Sequence, residues 1–262
     1  MGTLKQSYCI PCFWEGTEPD QLRAVIEAGA KIGYPAFEIH FRDGLPFDLI
    51  CQLARENGMT IASMCGHKSL AVGLNNRDEH ARIRDELLES IKLAEANGIR
   101  NLICFSGNRE GRDDAECIGV CADGLAPVTD AAEAAGVSLN IELLNSKVNH
   151  PGYQCDHTAW GVEVCKRTGS PNVKLLYDIY HMQIMEGDLI RTITDNIEFI
   201  GHFHTAGNPG RHDMDDEQEI HYPPVVRAIR ATEFDGYIAH EFGAKGDKIA
   251  ALEAAFRLFD EA

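Results

Sequence analysis

Two hydrophobic periods alternate along the chain. Short apolar, β-rich runs are each followed by a longer stretch in which apolar residues recur at helical spacing, and most returns from helix to strand carry a glycine. The joins read "AKIGYPAFEIH", "ARENGMTIASMC", "AEANGIRNLICFSG", "AEAAGVSLNIELLN" and "KRTGSPNVKLLYD". Gly33, Gly58, Gly98, Gly136 and Gly169 are predicted to end helices in the left-handed conformation that a β-carbon penalises. Helix starts are marked by Thr17 ahead of "EPDQLRAVIEAG", where Leu22, Val25 and Ile26 keep helical spacing, and by Pro223 and Pro224 opening "VVRAIRATEF".

This pattern predicts eight strands, near 6–13, 36–41, 60–66, 100–107, 138–145, 173–180, 197–206 and 237–242, with helical patterns after all eight, the last being "KIAALEAAFRLFDEA". Strands alternating with helices imply parallel pairing through crossovers. Eight such units in 262 residues suit an α/β fold of the (β/α)8 TIM-barrel type, a single domain over 1–262. A doubly wound open sheet is the structural alternative, but no G-x-G-x-x-G or G-x-x-x-x-G-K-[ST] follows any strand.

Composition narrows the partners. With 24 Lys plus Arg against 41 Asp plus Glu, the formal charge is −17, which repels a phosphate backbone and an anionic membrane surface. No Lys/Arg cluster interleaved with aromatics offsets this, so neither nucleic acid nor membrane is expected as a partner. The nine cysteines are scattered through apolar segments and read as reduced core residues of a cytoplasmic protein. The C-x-x-C of "YCIPCFW" is a weak motif by itself. No apolar window reaches membrane-spanning length, and no signal-like segment opens the chain.

In a barrel, catalytic groups sit at the C-terminal ends of strands. Four consecutive strands carry polar residues there: Glu142 in "LNIELLN", Asp178 in "KLLYDIYH", His204 in "IGHFHTA" and Glu241 in "YIAHEF". Alternation along the seventh strand puts Ile200, His202 and His204 on one face. Three carboxylates and an imidazole buried together would repel one another and shift pKa, and a divalent cation removes that conflict. Carboxylate-rich ligation with one imidazole suits Mn²⁺, Mg²⁺ or Co²⁺. Taken singly, each of the four is also what a helix cap or an ion pair would use. His67 in "MCGHKSL" ends another strand and is placed to reach a substrate. His202 reads equally as a partner of His204 or as a hydrogen-bonded core residue, and His212, with His150, as a loop residue. Arg211, in a loop shaped by Asn208, Pro209 and Gly210, offers a fork for a carboxylate, or else pairs with the acidic run "DMDDEQE" just downstream.

These residues resemble the xylose isomerase-like TIM barrels, and within them the hydroxypyruvate isomerases and ketose 3-epimerases. "IELLN" is similar to the family's Glu-Pro-x-Asn strand end, "DIYHMQIMEGD" to its Asp-x-x-His pattern, "GHFHTAGNPGRH" to the loop after strand seven, and "HEF" to the final glutamate. Two positions depart from the pattern. Leu143 stands in place of the proline, and His204 is the residue of the 3-epimerases where hydroxypyruvate isomerases tend to carry Gln. The resemblance implies that Glu142, Asp178, His204 and Glu241 bind one divalent ion, that Glu142 and Glu241 exchange protons with substrate, and that His181 and Arg211 bind or polarise its oxygens. It implies a metal-dependent isomerase or epimerase of a small hydroxy-carbonyl compound (hydroxypyruvate, a tetrulose or a ketose), working through a metal-stabilised enediolate, and a homo-oligomer, dimer or tetramer. A dehydratase on the same scaffold, such as an inosose dehydratase, an AP endonuclease, and a non-catalytic sugar-binding barrel are the competing readings.

Overall fold

The computed structural model describes residues 4–14, 16 and 18–262. Its strands are β1 (Lys5–Tyr8), β2 (Ala36–Phe37), β3 (Thr60–Ile61), β4 (Ser63–Cys65), β5 (Asn101–Cys104), β6 (Ser138–Glu142), β7 (Val173–Asp178), β8 (Ile200–Thr205) and β9 (Tyr237–His240). Seven of them form one parallel sheet in the order β1-β9-β8-β7-β6-β5-β4, and β2 pairs with β3. Backbone hydrogen bonds close the ring: Glu38 N–H donates to Tyr8 O at 2.8 Å, Ile10 N–H to Glu38 O at 3.0 Å, and Ala62 N–H to Phe37 O at 2.7 Å. β3 and β4 are therefore one barrel stave, interrupted at Ala62 where it turns from pairing with β2 to pairing with β5. The α/β TIM barrel expected from the pattern is the fold observed.

Helices lie between successive strands and cover the outside, so the strands are buried on both faces, as in parallel sheets generally. "NLIC" in β5 has no exposed position. Helix Pro19–Ile32 shows how the outer layer docks. Pro19 sits in its first turn, and Leu22, Ile26 and Gly29 face inward. A β-carbon at Gly29 would lie 2.4 Å from Tyr8 Oη, so glycine there is what lets the helix rest on β1. Gly33, Gly58, Gly98, Gly136 and Gly169 all have positive φ, as the helix-to-strand joins require. Pro223 lies in the first turn of helix Tyr222–Arg230. Thr17 lies outside the described residues.

Every strand is shorter than the apolar run that announces it, and at three of them the cause is local. The run 6–13 leaves the sheet after Tyr8 and becomes a helical turn, Ile10–Phe13. Pro11 has no N–H to give a strand ladder, and its fixed φ suits a first helical turn. Residues 36–41 keep only Ala36–Phe37 as regular strand, with Glu38 bridging to Cys9. Ile197–Phe199 forms a 3-10 turn, and the strand begins at Ile200. Gly201 then slips the register, since Leu175 pairs with Ile200 but Leu176 with His202.

Candidate active site

Four strand ends deliver the polar groups. Glu142 closes β6 and Asp178 closes β7. The Oδ1 of Asp178 caps the next helix, Ile179–Met185, by accepting from His181 N–H at 2.9 Å, which fixes its carboxylate. His204 is level with Asp178 on one side and Ala239 on the other. Glu241 follows β9 directly, its N–H donating to Thr205 O at 3.0 Å. Glu142, Asp178, His204 and Glu241 each offer a donor atom, and these atoms lie within 4.8 Å of one another.

The centre of this group is the His204 imidazole. Its Nδ1 has Glu241 Oε2 at 2.6 Å, Glu142 Oε1 at 3.3 Å and Asp178 Oδ2 at 3.8 Å, yet none of these contacts has the geometry of a hydrogen bond, so the buried nitrogen is unsatisfied. Three carboxylate oxygens converging on one buried ring nitrogen call for a positive charge between them. The residues present therefore fit a divalent cation. Burial alone would depress His204, but Glu38 and Glu241 push its pKa well above the ordinary value.

Glu38 was not among the residues singled out from the sequence. It is fully buried, and its Oε2 accepts from His202 Nε2 at 2.8 Å and Ser63 Oγ at 2.7 Å, while Oε1 lies 2.8 Å from His204 Nε2. That last contact lacks the geometry of a hydrogen bond as well; it is a charge contact that turns Nδ1 toward the carboxylates. Burial would raise Glu38, but His204 and His202 together hold it far below the usual carboxylate range. Its signal in the sequence was a charged residue inside the apolar run "AFEIH". His202 thus belongs to this core network and supports His204 through Glu38.

Arg211 points inward. One guanidinium nitrogen, Nη2, donates to Asp178 Oδ2 at 2.7 Å and also to Glu241 Oε2, and its plane lies over Tyr180, 5.0 Å from the ring centroid. The acidic run downstream pairs instead with Lys245, whose Nζ reaches Glu217 at 2.8 Å. The loop that aims Arg211 is tied by Gly207 N–H to His212 O at 2.7 Å and Gly243 N–H to Arg211 O at 2.9 Å, and Arg211 itself takes a left-handed backbone, φ 57°. His212 is an exposed residue of the same loop, its Nδ1 3.2 Å from Gly243 O.

The His181 tautomer follows from its neighbour. Asn145 Oδ1 accepts from Val148 N–H and Asn149 N–H at 3.0 and 2.8 Å. Its Nδ2 is therefore the donor to His181 Nδ1 at 2.6 Å, and the neutral ring carries its proton on Nε2. Burial keeps it neutral by lowering its pKa to about 3. Arg211 Nη1 lies 2.8 Å from that same Nε2, and both donors stand at the wall of one cavity, where an anionic oxygen could accept from them.

Glu142, Glu241, His181, His204 and Arg211 line one cavity of about 210 Å³, with Phe41, Leu70, Phe105 and Leu144 on its apolar side. His40 and His150 also line it; His40 Nε2 is 2.9 Å from Glu241 Oε1. His67 stands apart: its Nε2 accepts from Phe105 N–H at 2.9 Å, and it borders a different, smaller hollow beside Lys68 and Glu86. The two glutamates differ in setting. Burial raises Glu142 above the usual carboxylate value. Burial also acts to raise Glu241, but Arg211 and His204 outweigh it and leave that carboxyl well below the usual value.

The sequence profile of the xylose isomerase-like TIM barrels matches residues 26–262. The chain belongs to that family. It is 35% identical over 140 residues to 2-oxo-tetronate isomerase of Cupriavidus necator, the match covering 53% of each chain. It is 30% identical over 182 residues to hydroxypyruvate isomerase of Escherichia coli, covering 68% of this chain and 67% of that one. The chain thus covers about half the length of the first of these relatives. Among solved structures, an AP endonuclease, family 2, from Brucella melitensis superposes with a TM-score of 0.87 at 23% identity, covering 98% of this chain and 100% of that one. D-allulose 3-epimerase from Methylomonas sp. superposes with a TM-score of 0.83 at 18% identity, covering 99% and 97%. At these identities the two structures speak for the fold alone. As in other barrels, the donor group of this xylose isomerase-like chain lies at the C-terminal mouth. No helix among the described residues is long and apolar enough to cross a membrane.

Proposed function

We propose that this chain is a divalent-metal-dependent isomerase or epimerase of a small hydroxy-carbonyl acid or sugar. The observation that carries the reading is the unsatisfied His204 Nδ1 set among Glu142, Asp178 and Glu241 at one wall of the cavity. Those four residues would hold Mn²⁺, Mg²⁺ or Co²⁺, an oxygen-rich site with one imidazole. The cation, when bound, supplies Lewis acidity to a carbonyl and a neighbouring hydroxyl oxygen, so that the carbon–hydrogen bond beside them becomes acidic.

The chain's own residues do the rest. One of Glu142 and Glu241 takes the proton from carbon, and the other returns a proton to the adjacent carbon or to the opposite face, giving isomerisation or epimerisation respectively. Positioned carboxylates of this kind contribute on the order of 10²–10⁴-fold. His181 Nε2–H, held by Asn145, donates to the oxygen on which charge develops. Arg211 leaves the carboxylates and turns its fork to the substrate's own carboxylate or paired hydroxyls. The apolar side, Phe41, Leu70 and Phe105, excludes water from the carbanionic carbon.

The relatives' names point to 2-oxo acids, hydroxypyruvate and 2-oxo-tetronate. A cavity of about 210 Å³ with an arginine in it suits such short acids. The test is incubation with hydroxypyruvate or 2-oxo-tetronate and Mn²⁺ in deuterated water, followed by NMR. We expect the isomeric product with deuterium at carbon and no loss of water. Exchange accompanied by dehydration would make the chain a lyase, and protein that binds no divalent ion and exchanges no proton would overturn the enzymatic reading.

A further inference from the structure

Beside this cavity lies a thiol pair that the proposed reaction does not use. Cys9 is fully buried, and its Sγ sits 2.9 Å from His40 Nε2, the same nitrogen that lies 2.9 Å from Glu241 Oε1. Cys12 is half-buried and follows across a single turn, its N–H donating to Cys9 O at 3.0 Å. Cys9 Sγ, Cys12 Sγ and a Glu241 oxygen lie within 4.8 Å of one another. Pro11 in the first turn of Ile10–Phe13 holds the C-x-x-C in the tight arc that redox pairs use.

We propose that Cys9 and Cys12 form a reversible disulfide that alters the hold of His40 on Glu241. The oxidant is a hydroperoxide. The Cys12 sulfur, the one open to solvent, displaces one peroxide oxygen and becomes a sulfenic acid, releasing water or alcohol; the Cys9 sulfur then displaces the sulfenic hydroxyl, which leaves as water with the Cys9 thiol proton. Two thiols are oxidised by two electrons and one hydroperoxide is reduced. Cys9 N–H is held by His240 O at 3.0 Å, and the Cys9 side chain turns about its own Cα–Cβ bond to meet Cys12. That turn carries Sγ off His40. His40 Nε2 then engages Glu241 alone and competes with a cation for that carboxylate. The disulfide itself is independent of the proposed function; its effect on cation binding rests on that reading.

The test uses the full-length protein and hydrogen peroxide at low molar excess, followed by denaturation, alkylation and peptide mass mapping. The peptide holding Cys9 and Cys12 is expected to lose two hydrogens, to resist alkylation, and to regain both thiols with dithiothreitol, while Cys117 and Cys121 remain alkylatable. Cys12→Ser abolishes the bond. Free Cys9 beside a Cys12 driven to sulfinic acid, or two alkylatable thiols, would overturn the pair. Calorimetric titration with Mn²⁺ reads the coupling: affinity falls on the order of tenfold in the oxidised form and is unchanged by peroxide in Cys12→Ser. Equal affinity in both forms overturns the coupling; a reduced protein that binds no Mn²⁺ overturns both the coupling and the metal-dependent reading, and the disulfide is still judged by mass.

Discussion

At the scale of single residues, the site depends on which atom of each side chain faces the centre. Glu142→Gln and Glu241→Gln each keep the shape and remove the proton-carrying oxygen. Both are expected to lower turnover by on the order of 10²–10⁴-fold with unchanged circular dichroism, and a variant retaining most activity would leave the acid/base pair. Glu38→Gln tests the support behind His204. The amide removes the negative charge that now lies 2.8 Å from His204 Nε2 and that steadies the ring with Nδ1 toward the carboxylates. Mn²⁺ affinity is expected to drop about 10–100-fold, read by calorimetry, with the four donor residues all intact.

Elements decide how those atoms arrive. Each of β6, β7 and β8 ends on or just beyond a donor, and the next helix or loop starts at once: Asp178 is at the same time strand end, helix cap and candidate ligand. The outer helices hold the strands at this height, and helix Pro19–Ile32 does so through its close approach at Gly29. Gly29→Ala places a methyl group 2.4 Å from Tyr8 Oη and breaks the hydroxyl's bond to Val25 O, now 3.2 Å. A loss of roughly 1–3 kcal/mol in unfolding free energy is expected, seen as a lower urea midpoint.

For the whole molecule, buried neutral histidines set a pH dependence. Burial lowers His67 to about 4 and His240 to about 3. Their unfolded value is near 6.5, so between that pH and the folded values the unfolded chain binds more protons and stability falls as pH falls. Each contributes a slope of up to about 1.4 kcal/mol per pH unit in that window, and the contribution is fully present above pH 6.5. Urea unfolding from pH 7 to pH 4.5 checks the sign; stability rising toward pH 5 would contradict it. A divalent ion binding only the folded chain should add about 2.7 kcal/mol at a hundred times its dissociation constant, measured as a higher melting temperature reversed by EDTA.

The alternation of apolar periods determined that strands and helices take turns and that eight staves close, because each period suits only one kind of element. It also put Glu142, Asp178, His204 and Glu241 late in their strands, so they were legible as a set. Tertiary structure alone decided the rest. Glu38 reads as one charge in an apolar run until β2 closes against β1 and sets it between His202 and His204. Arg211 has an acidic run just downstream in sequence, and only the loop geometry turns it from that run to Asp178 and Glu241. His67 ends a strand as the other site residues do, yet its Nε2 is taken by Phe105 N–H. Strand period says which residues share a face; distances across a barrel depend on the stagger between staves, and that is a property of the closed ring.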